Sequence, residues 1–124
     1  MKEVKFRAWD KITNPAKMKT WGQLLAQYQL TQVFTSGDEF FEVMQYTGIQ
    51  DDTGVEIYEG DIVLKESMLV CSIKFKPFKG KVKFDEGSWW IDNGKDARLL
   101  FTETDSLKIL GNIYENPELL KEEQ

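Results

Sequence analysis

The sequence has no histidine and a single cysteine among 124 residues. The first absence removes Ser-His-Asp and Cys-His catalysis and nearly all common zinc sites. The second means that Cys71 cannot form an internal disulfide; in the apolar run Leu69-Val70-Cys71-Ser72-Ile73 the expectation is a buried, inert thiol. Long apolar runs are missing too. Ile62 to Leu64 and Leu99 to Phe101 are far shorter than the roughly 20 residues that span a bilayer. Lys2, Glu3, Lys5 and Arg7 break up the N-terminal apolar residues, so no export signal is expected there and the expected location is the cytoplasm. No glycine-rich phosphate cradle of the Walker or dinucleotide type occurs, and no cofactor is expected.

What the chain does have is aromatic residues, with 8 Phe, 4 Trp and 4 Tyr, and glycines spread along its length. A chain of this size and composition can bury a core without metals or crosslinks. Its texture is short strands separated by turns. Val4, Phe6 and Ala8 alternate with Lys5, Arg7 and Trp9, the period of a half-buried strand. Asn14-Pro15 marks a turn, and Met18 to Trp21 suits a returning strand. Between Trp21 and Leu30 the spacing of Leu24, Leu25, Tyr28 and Leu30 fits a short amphipathic helix as well as an irregular strand. After the turn signal Ser36-Gly37-Asp38, an apolar segment runs from Phe40 to Tyr46.

Asp51-Asp52-Thr53-Gly54 separates Met44–Ile49 from Val55–Tyr58, as a hairpin loop with a left-handed glycine would. Asp51, Thr53 and Glu56 offer oxygens, but the spacing of a twelve-residue calcium loop is not met, so a turn is the better reading. Glu59-Gly60-Asp61 leads into Ile62-Val63-Leu64, and Gly80–Phe84, Asp85-Glu86-Gly87 and Ser88–Ile91 form a second hairpin. These are the ingredients of a small curled sheet, and an SH3-like barrel arranges them economically. Leu107, Ile109, Leu110 and Ile113 make a further strand in which Gly111 marks a bulge or a close backbone approach. Asn116-Pro117-Glu118 starts a short C-terminal helix with Asn116 as its cap.

Four blocks together resemble the YopX family of phage and prophage proteins. They are Phe6-Arg7-Ala8-Trp9-Asp10; Met44 to Ile49 with Asp51 and Gly54; Ile57-Tyr58-Glu59-Gly60-Asp61-Ile62-Val63; and Ile109 through Leu120. The resemblance implies a mainly β fold of coiled antiparallel sheets that includes an SH3-like barrel, with a short C-terminal helix. It further implies one domain over 1–124, with a β-rich lobe over 1–45 and the barrel region over 46–120. It carries no activity and transfers no catalytic or binding residue.

Charge is the feature that bears on function. The net charge is −5, yet Lys65, Lys74, Lys76, Lys79, Lys81 and Lys83 lie in one stretch against Glu66 alone. If Lys79 to Phe84 is a strand, Lys79, Lys81 and Lys83 share one face, with Gly80, Val82 and Phe84 on the other. A strip from Lys74 to Lys83 could contact phosphates, with Phe75, Phe78, Trp89 and Trp90 as a platform for bases. Alternating lysines are more commonly the solvated face of a sheet or the protection of an edge. Trp89 and Trp90 point to opposite faces of a strand, so at least one is a candidate contact with a protein partner or a second copy, core packing being the more ordinary role. The carboxylate pairs Asp85-Glu86, Asp51-Asp52 and Glu103 with Asp105 lie in turns and meet no geometric test for catalysis. The expectation is a non-enzymatic protein-interaction or self-assembling module with no membrane role, with nucleic-acid binding as the alternative.

Overall fold

The computed structural model describes residues 4–35, 37, 39–67 and 77–120, and the chain divides into two compact units, Met1–Tyr46 and Thr47–Gln124. The fold is mainly β, in two antiparallel sheets.

In the first unit, β1 (Phe6–Asp10) pairs with β2 (Lys17–Lys19) on one side and with β3 (Phe41–Gln50) on the other. The alternation read in the sequence is real: Phe6, Ala8 and Asp10 stand opposite Gln45, Val43 and Phe41 and so share a face with them. The segment left open between helix and strand forms two short helices, α1 (Trp21–Gln27) and α2 (Leu30–Thr35). Trp21 therefore begins a helix rather than ending the returning strand. The local cause is a capping box in which the Thr20 hydroxyl accepts from the Gln23 N–H at 3.2 Å while the Gln23 side chain accepts from the Thr20 N–H at 2.9 Å. Leu24 and Val33 then bury against Ala8 and Phe41, with Trp21, Tyr28, Leu30 and Val43 packed around them.

Asp10 is wholly buried in this unit. Its carboxylate accepts from the Tyr28 hydroxyl at 2.5 Å and from the Ile12 N–H at 2.9 Å. The bond between Tyr28 and Asp10, reinforced by burial and by the charge of Asp10, pushes the Tyr28 phenol up to about 12.

In the second unit, β4 (Glu56–Tyr58) comes after the end of β3, and β5 (Asp61–Ser67), β6 (Phe78–Asp85), β7 (Ser88–Asp92), β8 (Ala97–Leu99) and β9 (Asp105–Asn112) form a five-stranded sheet in the order β8-β7-β6-β5-β9. This sheet curls into a half-barrel. Its inner face is a core of Val63, Phe78, Val82, Ile91 and Leu107, joined by Ile57 and Leu100. The Glu59-Gly60-Asp61 turn is pinned at three points. The Tyr58 N–H donates to the buried Asp61 carboxylate at 2.7 Å, the Gly60 N–H to Val82, and the Ile113 N–H to the Gly60 carbonyl.

Two glycines hold the sheet close. A methyl group on Gly80 would lie 2.7 Å from the Asp92 backbone. At Gly111 the ladder slips by one residue, Ile62 facing Gly111 and Val63 facing Ile109, and the Asn116 side chain occupies the space of the missing Cβ. The bulge read at Gly111 is thus present, and the group that comes close there is the Asn116 side chain rather than another backbone. Asn116 serves the strand instead of capping the helix: its Oδ1 accepts from the Asn112 N–H at 3.2 Å. The expected short C-terminal helix is present as one turn of 3-10 helix, Pro117–Leu120, packed against β6 and β9.

Two outcomes test this packing. Tyr28→Phe removes the donor to a buried carboxylate and is expected to lower unfolding free energy by about 2 kcal/mol in urea, and to abolish a phenol absorbance transition near 12. Gly80→Ala forces a shift of the β7 backbone and is expected to cost about 2 kcal/mol in the same assay.

Candidate functional site

The register of the five-stranded sheet sorts its side chains into two faces. Opposite Lys83 stands Trp90, opposite Lys81 stand Asp92 and Ile62, and opposite Lys79 stands Leu64, whose other neighbour is Lys108. Trp90 in turn faces Leu99. The outer face towards β7 and β8 therefore carries Lys79, Lys81, Lys83, Trp90, Asp92 and Leu99. Lys79, Lys81 and Lys83 share it as read, and Trp89 and Trp90 point to opposite sides as read. Lys74, Lys76, Phe75 and Cys71 lie outside the described residues.

The aromatic platform does not assemble on the lysine side. Phe78 is buried in the inner core beneath the Arg98 guanidinium, 4.6 Å from the ring centre. Trp89 also faces inward, packing on the core margin with its ring 5.0 Å from that of Phe84. Only Trp90 of the proposed aromatic residues that are described shares the lysine face. Its indole N–H donates to the Asp85 carbonyl at 2.9 Å, which ties the ring to its own hairpin.

The lysines are also partly matched. Lys83 Nζ lies 2.7 Å from Asp92 Oδ2 and 3.9 Å from Asp85 Oδ2. The hydrogen bond from Lys83, helped by the Gly94 N–H, holds the Asp92 carboxyl below the usual range, and the same bond raises Lys83. Lys81, exposed, adds to the field on Asp92. A lysine strip read along one strand thus becomes a face of mixed sign once the neighbouring strand is laid beside it.

Sequence reasoning missed what happens at the two edges of this sheet. On the β9 edge, the Asp52 N–H donates to the Leu107 carbonyl at 2.9 Å, the Leu107 N–H to Asp52 Oδ1 at 3.1 Å and the Ile109 N–H to Asp51 Oδ2 at 3.3 Å. The hairpin loop thereby takes the place of a sixth strand. Asp51 Oδ1 accepts at the same time from the Thr53 N–H, the Thr53 hydroxyl and the Val55 N–H, all within 2.9 Å. Burial works to raise the Asp51 carboxyl, but the donors from Thr53, Val55 and Ile109 outweigh it and hold the group below its ordinary 3.8.

On the β8 edge, the Leu100 N–H bonds to the Trp89 carbonyl, which makes Trp90 and Leu99 a non-hydrogen-bonded pair and turns the Leu99 carbonyl away from β7. Lys65, only 5% exposed, reaches across the inner face and donates to that carbonyl at 2.5 Å. Its ammonium lies 3.6 Å from Asp105, whose carboxylate accepts from the Thr102 hydroxyl at 2.8 Å. Burial pulls Lys65 below the usual lysine range, and Asp105 opposes that pull. One signal for both edge contacts exists in the sequence, since a buried charge needs a partner, but nothing marks which carboxylate or lysine will be buried.

Two solved structures share this fold. The crystal structure of protein EF1440 from Enterococcus faecalis aligns with 98% of this chain and 100% of its own, at a TM-score of 0.57 and 22% identity. The X-ray structure of protein yopX from Bacillus subtilis aligns over 100% of both chains, at a TM-score of 0.63 and 20% identity. The family model described as YopX protein matches residues 5–121. No curated protein matches the chain.

Asp51→Asn places an amide where amides already point. It is expected to lose about 2 kcal/mol of stability near neutral pH. Because the folded-state carboxyl lies below 3.8, the difference from the parent chain is full above that value and shrinks as pH falls through the folded value, which denaturant titrations at several pH values would register.

Proposed function

This chain belongs to the YopX family, and from that starting point we propose that it is a non-enzymatic binding module whose partner is a protein. The observation that carries this reading is the outer face around Trp90 and Leu99. Leu99 is 45% exposed beside a half-buried tryptophan, and the nearest charges are of both signs. An apolar centre with a tryptophan and a mixed polar rim is the make-up of a protein contact. Phosphate recognition asks for cations left unmatched, whereas Lys83 is already bonded to Asp92.

The carboxylates weigh against catalysis in a similar way. Both oxygens of Asp51 are filled by loop and strand donors and Asp52 Oδ1 accepts from the Leu107 N–H, so this pair is engaged in holding the edge of the sheet. A phage or prophage accessory role in a bacterial cytoplasm accompanies this proposal, carried by the family resemblance.

One observation favours the alternative, nucleic-acid binding. The register brings Lys108 onto the face of Lys79, one strand beyond Leu64, so the basic surface is broader than the Lys74 to Lys83 strip alone. Titration of the chain with single-stranded and duplex DNA at low and moderate salt separates the two readings. The expected result is no salt-sensitive binding. DNA binding that weakens steeply with salt and disappears in Lys79→Glu/Lys81→Glu/Lys83→Glu would overturn the protein-binding reading.

A further inference from the structure

The two edges of the five-stranded sheet and its outer face together restrict how this unit can meet another protein. An open β edge recruits a strand from a partner, because its outward N–H and C=O groups are unpaired. Here the β9 edge is occupied by Asp51 and Asp52 over Leu107 and Ile109, and the β8 edge has its Leu99 carbonyl taken by Lys65. Strand addition is hindered at these residues, and the outer face around Trp90 and the exposed Leu99 is a further surface for contact.

That face has a particular pattern. Trp90 and Leu99 form its apolar centre. Lys79, Lys81 and Lys83 on β6 and Lys108 on β9 lie on it, and so do Asp85, Asp92 and Glu66, since each keeps the two-residue alternation of its strand. Four cations and three anions on one surface give little net attraction for a polyanion. They do meet the requirement of a two-fold contact, in which every patch faces a copy of itself and lysines of one chain must find carboxylates of the other.

Resting on the protein-binding reading, we propose that the partner is a second copy of this chain, docked face to face on the outer surface of the five-stranded sheet, with Trp90 and Leu99 at the centre and the lysines of each copy set against Asp85 and Glu66 of the other. Sheet faces pack this way within β-sandwiches, and both chains gain burial of the same apolar pair. Lys83 and Asp92 are less available for this purpose because they bind each other at 2.7 Å and Asp92 also accepts from the Gly94 N–H, whereas Asp85 stands at the longer distance of 3.9 Å from Lys83.

The test is light scattering of the parent chain and of two charge-reversed variants, Lys79→Glu/Lys81→Glu and Glu66→Lys/Asp85→Lys, each alone and mixed in equal amounts, with circular dichroism to confirm the fold. The expected result is a concentration-dependent dimer of the parent chain, dissociation at least about tenfold easier for either variant alone, and recovery of the dimer on mixing. Leu99→Arg, at an exposed position, provides an independent disruption should a double variant lose its fold. A parent chain that stays monomeric at all concentrations overturns this inference while leaving binding to another protein open. A dimer indifferent to all three variants also overturns it, and places self-association on a different surface.

Discussion

The carboxylate of Asp51 is the contact on which the second unit depends. It closes its own loop through Thr53 and Val55 and, through Ile109, fastens that loop to the last strand of the sheet. Local and long-range order thus meet in one side chain, 58 residues from its farthest partner. A loop bonded only to itself would form the hairpin and leave β9 with a bare edge. A carboxylate bonded only to β9 would lack the rigid backbone that aims it. Asp52 repeats the arrangement at Leu107, so two adjacent acidic residues terminate a sheet that would otherwise require another strand.

Much of this architecture is legible from residue types. Alternation locates β1 and the β6–β7 hairpin, Gly54 marks the left-handed position of the β3–β4 loop at φ 89°, and Gly111 marks the bulge. Each of these signals is local, set by backbone conformation or by the two-residue period of a strand. The helices between Trp21 and Thr35 are harder to read because they are short and their apolar spacing suits either structure. Thr20 and Gln23 decide it by capping, a signal available in the sequence. The Asn116-Pro117-Glu118 motif shows the opposite case, where a favourable cap residue is drawn away by a glycine whose absent side chain offers it a better position.

The candidate surface is legible in its facing and not in its charge. Strand period alone puts Lys79, Lys81 and Lys83 together and sends Trp89 and Trp90 apart. It says nothing about which strand lies alongside, and that strand brings Asp92 to Lys83 and Leu99 to Trp90. Similarly, Lys65 reads as one more member of a basic run, yet the fold buries it and assigns it to Leu99 and Asp105. Sign patterns along one β strand are therefore poor guides to surface potential until the paired strands are laid beside it, whether the partner is the next strand of a hairpin, as with Asp92, or a distant one, as with Asp105.

Lys65 also gives the molecule a boundary of a chemical rather than a geometric kind. Where one strand seals another, the seal is made of amides that do not titrate. Here the Leu99 carbonyl is held by an ammonium whose proton leaves more readily than that of an ordinary lysine. As alkalinity rises the charge-assisted bond weakens to a neutral one. The Leu99 end of the sheet is therefore held by a contact whose strength follows pH, unlike the amide that the Asp52 backbone gives to Leu107 on the opposite edge.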